Sequence, residues 1–296
     1  MGDITLSAAT RVNILSLQRT QTLIDVTQTR LATGLKVNSA LDDALAFFTA
    51  RNLSSRAGDL ATIKDAVNNG ISVVRAATLG LEAIESVLKQ MDALATSAIS
   101  ATESTTRAEL ASQFNELRSQ VDNLAEDSSF DGINLLKSGT PQFEGGADNL
   151  TVTFNERIAE GTVNRLIVSG LNAADYADIV GSAALATGTA GATDVWGQTG
   201  TAAITAINAA ITELDAALVT VRSAAETFGT NAALLQIRLD FTTSLINTLD
   251  SGAAELVNAD LNEESASLLS LQTRQQLGTI SLSIAQRSEQ AMLRLF

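Results

Sequence analysis

Asp127, Ser129 and Asp131 stand two residues apart with Gly132 behind them, the way oxygen donors open a calcium loop. Such a loop needs a bidentate Glu at its twelfth position, and that position here is Ser138. A turn leading out of a helix is the better reading. Asp42-Asp43 and Glu263-Glu264 are paired acids, the residue type of general acid–base chemistry. Adjacent helical residues point about 100° apart, so neither pair can face one substrate. Each complements the dipole of a helix N-terminus instead. Gly145-Gly146 and the series Gly188, Gly191, Gly197, Gly200 lack the Lys and the strand–helix setting of a phosphate loop. Trp196, the single Trp, reads as an apolar anchor. The chain has no His and no Cys. That removes imidazole bases, thiol nucleophiles, disulfides and most zinc, copper and haem sites. The expectation is no enzyme, no cofactor and no metal.

Formal net charge is −14, from 33 acidic and 19 basic residues. Nucleic acid and anionic membranes are bound through Lys and Arg, so neither is an expected partner. No stretch of about 18 residues is free of polar interruption, so no membrane-spanning helix is expected. The start, Met1-Gly2-Asp3-Ile4-Thr5-Leu6, has no basic segment before an apolar block, so a cleavable secretory signal is not expected either.

With no site to position, the elements themselves carry the argument. Leu60, Ile63, Val67, Gly70, Val74, Ala77, Leu81, Ile84, Leu88, Met91 and Ala95 recur three and four apart. A second such run goes from Ile207 through Leu214, Val221, Phe228 and Leu235 to Leu249. A period near about 3.5 gives one narrow stripe per helix, a coiled-coil seam, and neither helix can hide its stripe alone. The two runs are expected to pack on each other.

Residues 3–33 carry a shorter stripe, Ile14, Leu17, Ile24 and Leu31, with Gln21 and Gln28 at the intervening seam positions. Polar seam residues weaken a pair and fix its register. Thr33-Gly34 reads as a helix stop. Ser39 with Asp42 fits a capping box and Asp43 adds favourable charge, so a helix is expected over about 40–100. Thr106 with Glu109 repeats the signal for a helix over about 106–127. Residues 137–200 hold the one Pro and many of the Gly, with strand-like alternation at Leu150, Val152 and Phe154 and again at Leu166-Ile167-Val168. Helical pattern returns over about 201–250, where Gly252 interrupts it. The final helix is expected over about 260–295, with stripe residues Leu268, Leu271, Leu282, Ala285, Met292 and Phe296 and with Gln275, Gly278 and Glu289 at the other seam positions.

The predicted fold is therefore mainly α: a long antiparallel α-helical coiled-coil rod with a small β-rich insert at its distal end. The divisions are 1–39, 40–136, 137–200, 201–254 and 255–296. Rods are built for assembly more often than for chemistry.

The segment Leu31-Ala32-Thr33-Gly34-Leu35-Lys36-Val37-Asn38-Ser39-Ala40-Leu41-Asp42-Asp43-Ala44 resembles the N-terminal signature of bacterial flagellins. Residues 13–20 and 129–136 fit the same family. Residues 259–266 and 271–278 resemble flagellins of alphaproteobacterial type. The resemblance covers about residues 1–136 and 200–296. It implies a subunit exported unfolded through the flagellar type III apparatus and polymerised with copies of itself into an extracellular filament, with the filament cap and junction proteins as further partners. It also implies that 3–33 and 260–296 pair as an inner tube through Ile14, Leu17, Ile24, Leu31, Leu268, Leu271, Leu282, Met292 and Phe296. Gly34, Asn38, Ser39, Asp42 and Asp43 then form the connector and cap. Two departures stand out. The stretch aligned with the family's basic immune-receptor site, Leu88–Leu94, has no Arg, and the absence of His excludes the zinc protease that some members carry.

Two alternatives stay open on the residues alone: a hook–filament junction protein, and a secreted adhesin-like binding module. The small insert argues against the second.

Overall fold

The computed structural model of the chain describes residues 8–136, 149–155, 164–171, 195–198 and 200–293. In chain order the elements are α1 (Ala8–Thr33), α2 (Ala44–Ser100), α3 (Ser104–Asp127), β1 (Ser129–Phe130), β2 (Ile133–Asn134), β3 (Asn149–Thr153), β4 (Arg165–Ser169), α4 (Thr201–Val257) and α5 (Leu261–Leu293). The chain is mainly helical with a few short strands. It divides into two compact units: residues 1–58 with 246–296, and residues 59–245. The division between the two units falls inside α2 and α4, and the first turns of α2 are packed with the end of α4. Leu53 Cδ1 lies 3.7 Å from where a Cβ on Gly252 would sit. Gly252 does not interrupt α4, which continues to Val257.

Residues 59–245 are held by one apolar core. From α2 it takes Val67, Val74, Leu81, Leu88 and Met91; from α3 Phe114 and Val121; from α4 Ile207, Leu214, Val221, Phe228 and Leu235. Both long stripes thus face inward, and Glu85 of α2 pairs with Arg222 of α4 at 2.9 Å. The Lys89 ammonium and then the Arg222 guanidinium hold the Glu85 carboxyl below its ordinary range. By length and hydropathy α4 could cross a membrane; its stripe lies in this core, which accounts for its apolar composition. The buried face of α2 is wider than a two-helix seam. Ile71, Val73 and Ala98 are buried too, since α3 and the strands also contribute to the core.

β3 and β4 pair antiparallel, with Leu150 opposite Val168 and Val152 opposite Leu166. They lie in the stretch read as a β-rich insert, yet Leu150, Val152 and Val168 are part of the helical core. Gly70 makes this possible: a Cβ there would meet Val152 Cγ2 at 2.7 Å. Trp196 is also buried, 5.2 Å from Phe114 between ring centres. Its carbonyl accepts from Arg107 Nε at 2.9 Å. Arg107 donates further to the carbonyls of Ala101, Thr102 and Gln198. A buried guanidinium is thus satisfied by backbone dipoles at the α2–α3 turn and beside α4.

β1 and β2 form a hairpin around Asp131-Gly132, both in the left-handed region (φ 51° and 77°). That is the two-residue turn Asp-Gly favours. Asn134 Nδ2 donates to the carbonyls of Ala125 and Glu126 at the end of α3, and Asp131 accepts from Asn69 Nδ2. The calcium-loop spacing is a turn, and among the described residues no cluster of acids is arranged to hold a metal ion.

Two expected caps are placed otherwise. Asp42 Oδ2 accepts from the N–H groups of Asn38 and Ser39 and from Ser39 Oγ, so it closes the connector behind it. Asp43 is the cap of α2, accepting from Ala46 N–H at 3.0 Å. α3 begins at Ser104 after Glu103, with no side-chain cap, so Thr106 and Glu109 do not start it.

Candidate functional site

In the unit formed by residues 1–58 and 246–296, α1 and α5 run side by side in opposite directions. Three contacts mark their register. Leu17 sits at Gly278, where a Cβ would come within 2.6 Å of Leu17 Cδ2. Gln275 Nε2 donates to Gln21 Oε1 at 2.7 Å. Arg30 Nη1 meets Glu264 Oε1 at 3.1 Å. Each step forward on α1 is matched by a step of similar length back on α5, as an antiparallel pair requires.

Of the residues expected to line this pair, Ile24 and Leu271 are buried, while Ile14, Leu17, Leu31, Leu268 and Leu282 are half-buried. The side chain of Met292, and Phe296 altogether, lie outside the described residues. The pair leaves large apolar side chains in water: Val12, Leu15 and Leu23 on α1, and Leu269, Leu277, Ile280 and Ile284 on α5. Leu269 is 67% exposed and Leu277 62%. Single exposed apolar residues are ordinary, but so many on one helix pair make an apolar surface of the kind found at interaction sites.

The connector after α1 is tied down by backbone. Gly34 has φ 71° and its N–H bonds the carbonyl of Arg30 at 2.8 Å, the left-handed helix stop that glycine adopts without steric cost. Lys36 N–H then bonds the carbonyl of Val257 at 2.7 Å, and Ala259 N–H bonds that of Gly34 at 2.9 Å. Leu35 and Asn258 form an isolated antiparallel bridge. Sequence reading missed Arg30, Leu35, Lys36, Val257 and Asn258. Backbone bonds leave no side-chain pattern, and Arg30–Glu264 joins residues distant in the chain. The Ser39 and then the Asn38 N–H groups hold the Asp42 carboxyl below its ordinary value.

What the arrangement offers is a surface for packing. It offers an apolar, register-locked helix pair joined to a rigid turn. The model of the bacterial flagellin N-terminal helical region matches residues 5–140, and that of the C-terminal helical region matches 201–296. The chain belongs to the bacterial flagellin family. This flagellin is 32% identical over 298 residues to flagellin FljK of Caulobacter vibrioides, spanning 100% of this chain and 99% of that one. It is 30% identical to flagellin C of Rhizobium meliloti over 92% of each chain, and 26% identical to a Brucella melitensis flagellin over 100% and 99%. A crystal structure of Bacillus cereus flagellin aligns with a TM-score of 0.45 at 18% identity, over 60% of this chain and 88% of that one. The flagellin is a secreted structural subunit that polymerises into the extracellular flagellar filament used for swimming. The comparisons support that reading over the junction-protein and adhesin alternatives.

Proposed function

We propose that the α1–α5 pair is the element through which this flagellin polymerises, and that Ile14, Leu17, Ile24, Leu31, Leu268, Leu271, Leu282, Met292 and Phe296 make its packing surface. The observation that carries this is the row of apolar side chains the pair leaves exposed, Leu269, Leu277, Ile280 and Ile284 above all. Stacked copies would cover them, at roughly 1.5–3 kcal/mol for each large side chain fully buried.

Residues 1–39 and 255–296 are then the polymerising ends, 40–136 and 201–254 the rest of the helical body, and 137–200 the variable part, whose β3–β4 strands and Trp196 nonetheless reach into the core of residues 59–245. In support of the last division, neither family model extends over 141–200. Gly34, Asn38, Ser39, Asp42 and Asp43 form the connector between α1 and α2 and the cap of α2. The export apparatus, the filament cap and the junction proteins are the partners beyond the polymer itself. The subunit works by packing and carries out no catalysis.

Removal of residues 277–296 tests the reading. It deletes Leu277, Ile280, Leu282 and Ile284 together with Met292 and Phe296. The shortened chain is expected to fold over residues 59–245 and to form no filaments on seeds, by electron microscopy. Normal filaments from it would overturn the assignment.

A further inference from the structure

Around the start of α2, in the unit formed by residues 1–58 and 246–296, three large apolar side chains stand in water, two of them more exposed than any other large apolar side chain described there. Leu41 is 97% exposed, Leu45 81% and Phe48 56%. Leu45 and Phe48 are three apart on the helix and share a face, and Leu41 precedes them in the connector. Beside this ridge lies a groove of about 410 Å³, lined by Leu35, Val37, Phe47, Ala50, Ala253 and Val257 with Arg51 and Asp250 also on it. Phe47 lines the groove and Phe48 belongs to the ridge. Their rings meet edge to face with centroids 5.5 Å apart, but as helix neighbours they point about 100° apart. The ridge therefore cannot fill the groove of its own chain.

We infer that the ridge of one subunit seats in the groove of the next: Leu41, Leu45 and Phe48 of one copy fill the trough between Leu35, Val37, Phe47, Ala50, Ala253 and Val257 of another. A second copy is the occupant for three reasons. The chain is the subunit of a homopolymer, so each copy brings both surfaces to every neighbour. A ridge and a groove are unlike surfaces, and contacts between unlike surfaces propagate into open helical assemblies, whereas twofold contacts stop at a dimer. The acidic excess of the chain lies almost entirely between Asp59 and Leu245, so the unit bearing ridge and groove meets its copies with little net repulsion. Asp42 and Asp43 at the base of the ridge also bring negative charge toward Arg51. Groove and ridge both adjoin the connector bonded to Val257, so this contact would be continuous with the α1–α5 surface. The inference rests on the filament reading and adds a second contact, distinct from α1–α5.

The chain has no native Cys, which makes a disulfide test clean. Leu45→Cys and Ala254→Cys, the latter in the groove lining, are made in separate chains and co-assembled in equal amounts onto wild-type seeds, then oxidised. Disulfide-linked dimers are expected from the mixture and not from either variant alone. Separately, Phe48→Ala is expected to elongate seeds at least tenfold more slowly, with far-ultraviolet circular dichroism unchanged. Failure of either cysteine variant to join wild-type seeds, with its helix content intact, supports the contact by the same logic. Filaments that form from the mixture without linked dimers, or a Phe48→Ala chain that elongates at the wild-type rate, would overturn the inference. In either case the α1–α5 reading stands, because the 277–296 deletion tests that reading by itself.

Discussion

Gln275 Nε2 donates to Gln21 Oε1 at 2.7 Å across the α1–α5 pair. Both residues occupy seam positions where a stronger pair would place leucine. A single polar pair on a seam sets which residue meets which, at a cost in stability. Gln21→Leu with Gln275→Leu should therefore raise the melting temperature of the terminal helices in the filament. It should also lower the fraction of subunits that add productively to seeds, since the chain can slip by a turn. Elongation rate and melting of the same preparation, measured together, check this. A gain in both would show that the hydrogen bond sets nothing.

Leu17 at Gly278 is the second register mark, and it is steric. A Cβ on Gly278 comes within 2.6 Å of Leu17 Cδ2. The far end of a leucine can swing aside for one methyl group, and Gly→Ala gains about 1 kcal/mol in helix propensity. Gly278→Ala should thus be close to neutral. Gly278→Leu should abolish seeded growth, and Leu17→Ala in the same chain should restore part of it. Elongation by light scattering reads all three.

Arg107 offers a local test in residues 59–245, because Trp196 is the only Trp in the chain. Arg107→Met leaves the carbonyls of Trp196, Gln198, Ala101 and Thr102 without their donor. An unsatisfied buried polar group costs about 1–3 kcal/mol, so the loss should reach at least that range. Trp196 fluorescence should shift to the red and become open to acrylamide, at temperatures where the helix signal is still native.

The β3–β4 hairpin should not be dispensable. Leu150 and Val152 fill space over Gly70 that helix side chains do not fill. Leu150→Ala should destabilise residues 59–245 by about 2–5 kcal/mol. Gly70→Leu should do at least as much harm, because the hairpin has no room to retreat. Urea unfolding followed by Trp196 measures both.

Glu213 has a buried carboxylate oxygen with no hydrogen-bond partner among the described residues, and burial raises its pKa. A group whose folded pKa is raised adds stability that is complete below its unfolded pKa and lost as pH rises through the folded one. The wild-type chain thus carries a penalty at neutral pH that acid removes. Glu213→Gln should melt higher than wild type at pH 7, and the difference should close as pH falls into the ordinary glutamate range. A difference that widens in acid would contradict the assignment.

The sequence by itself determined where the long helices run and which of their faces turn inward. Apolar residues three and four apart over so many turns permit no other periodicity, and the residues from Leu60 to Ala95 and from Ile207 to Leu249 are inward as that spacing requires. It also determined that Gly34 ends α1, because the left-handed turn there strongly favours glycine. The interruptions at Gln21, Gln275 and Gly278 were legible as seam positions, though not as partners. The tertiary structure alone decided the rest. Gln21 meets Gln275, and Leu17 meets Gly278, only once two segments far apart in the chain are in register. Asp42 and Asp43 look interchangeable in sequence, yet one closes the connector and the other caps α2, a choice made by which N–H groups the backbone presents. Leu150 and Val152 read as an outer strand until α2 offers a glycine to pack against. The ridge at Leu41, Leu45 and Phe48 has the same apolar character as the core. What sets it apart is that no described residue of its own chain covers it, and that is a property of the folded surface rather than of the residues.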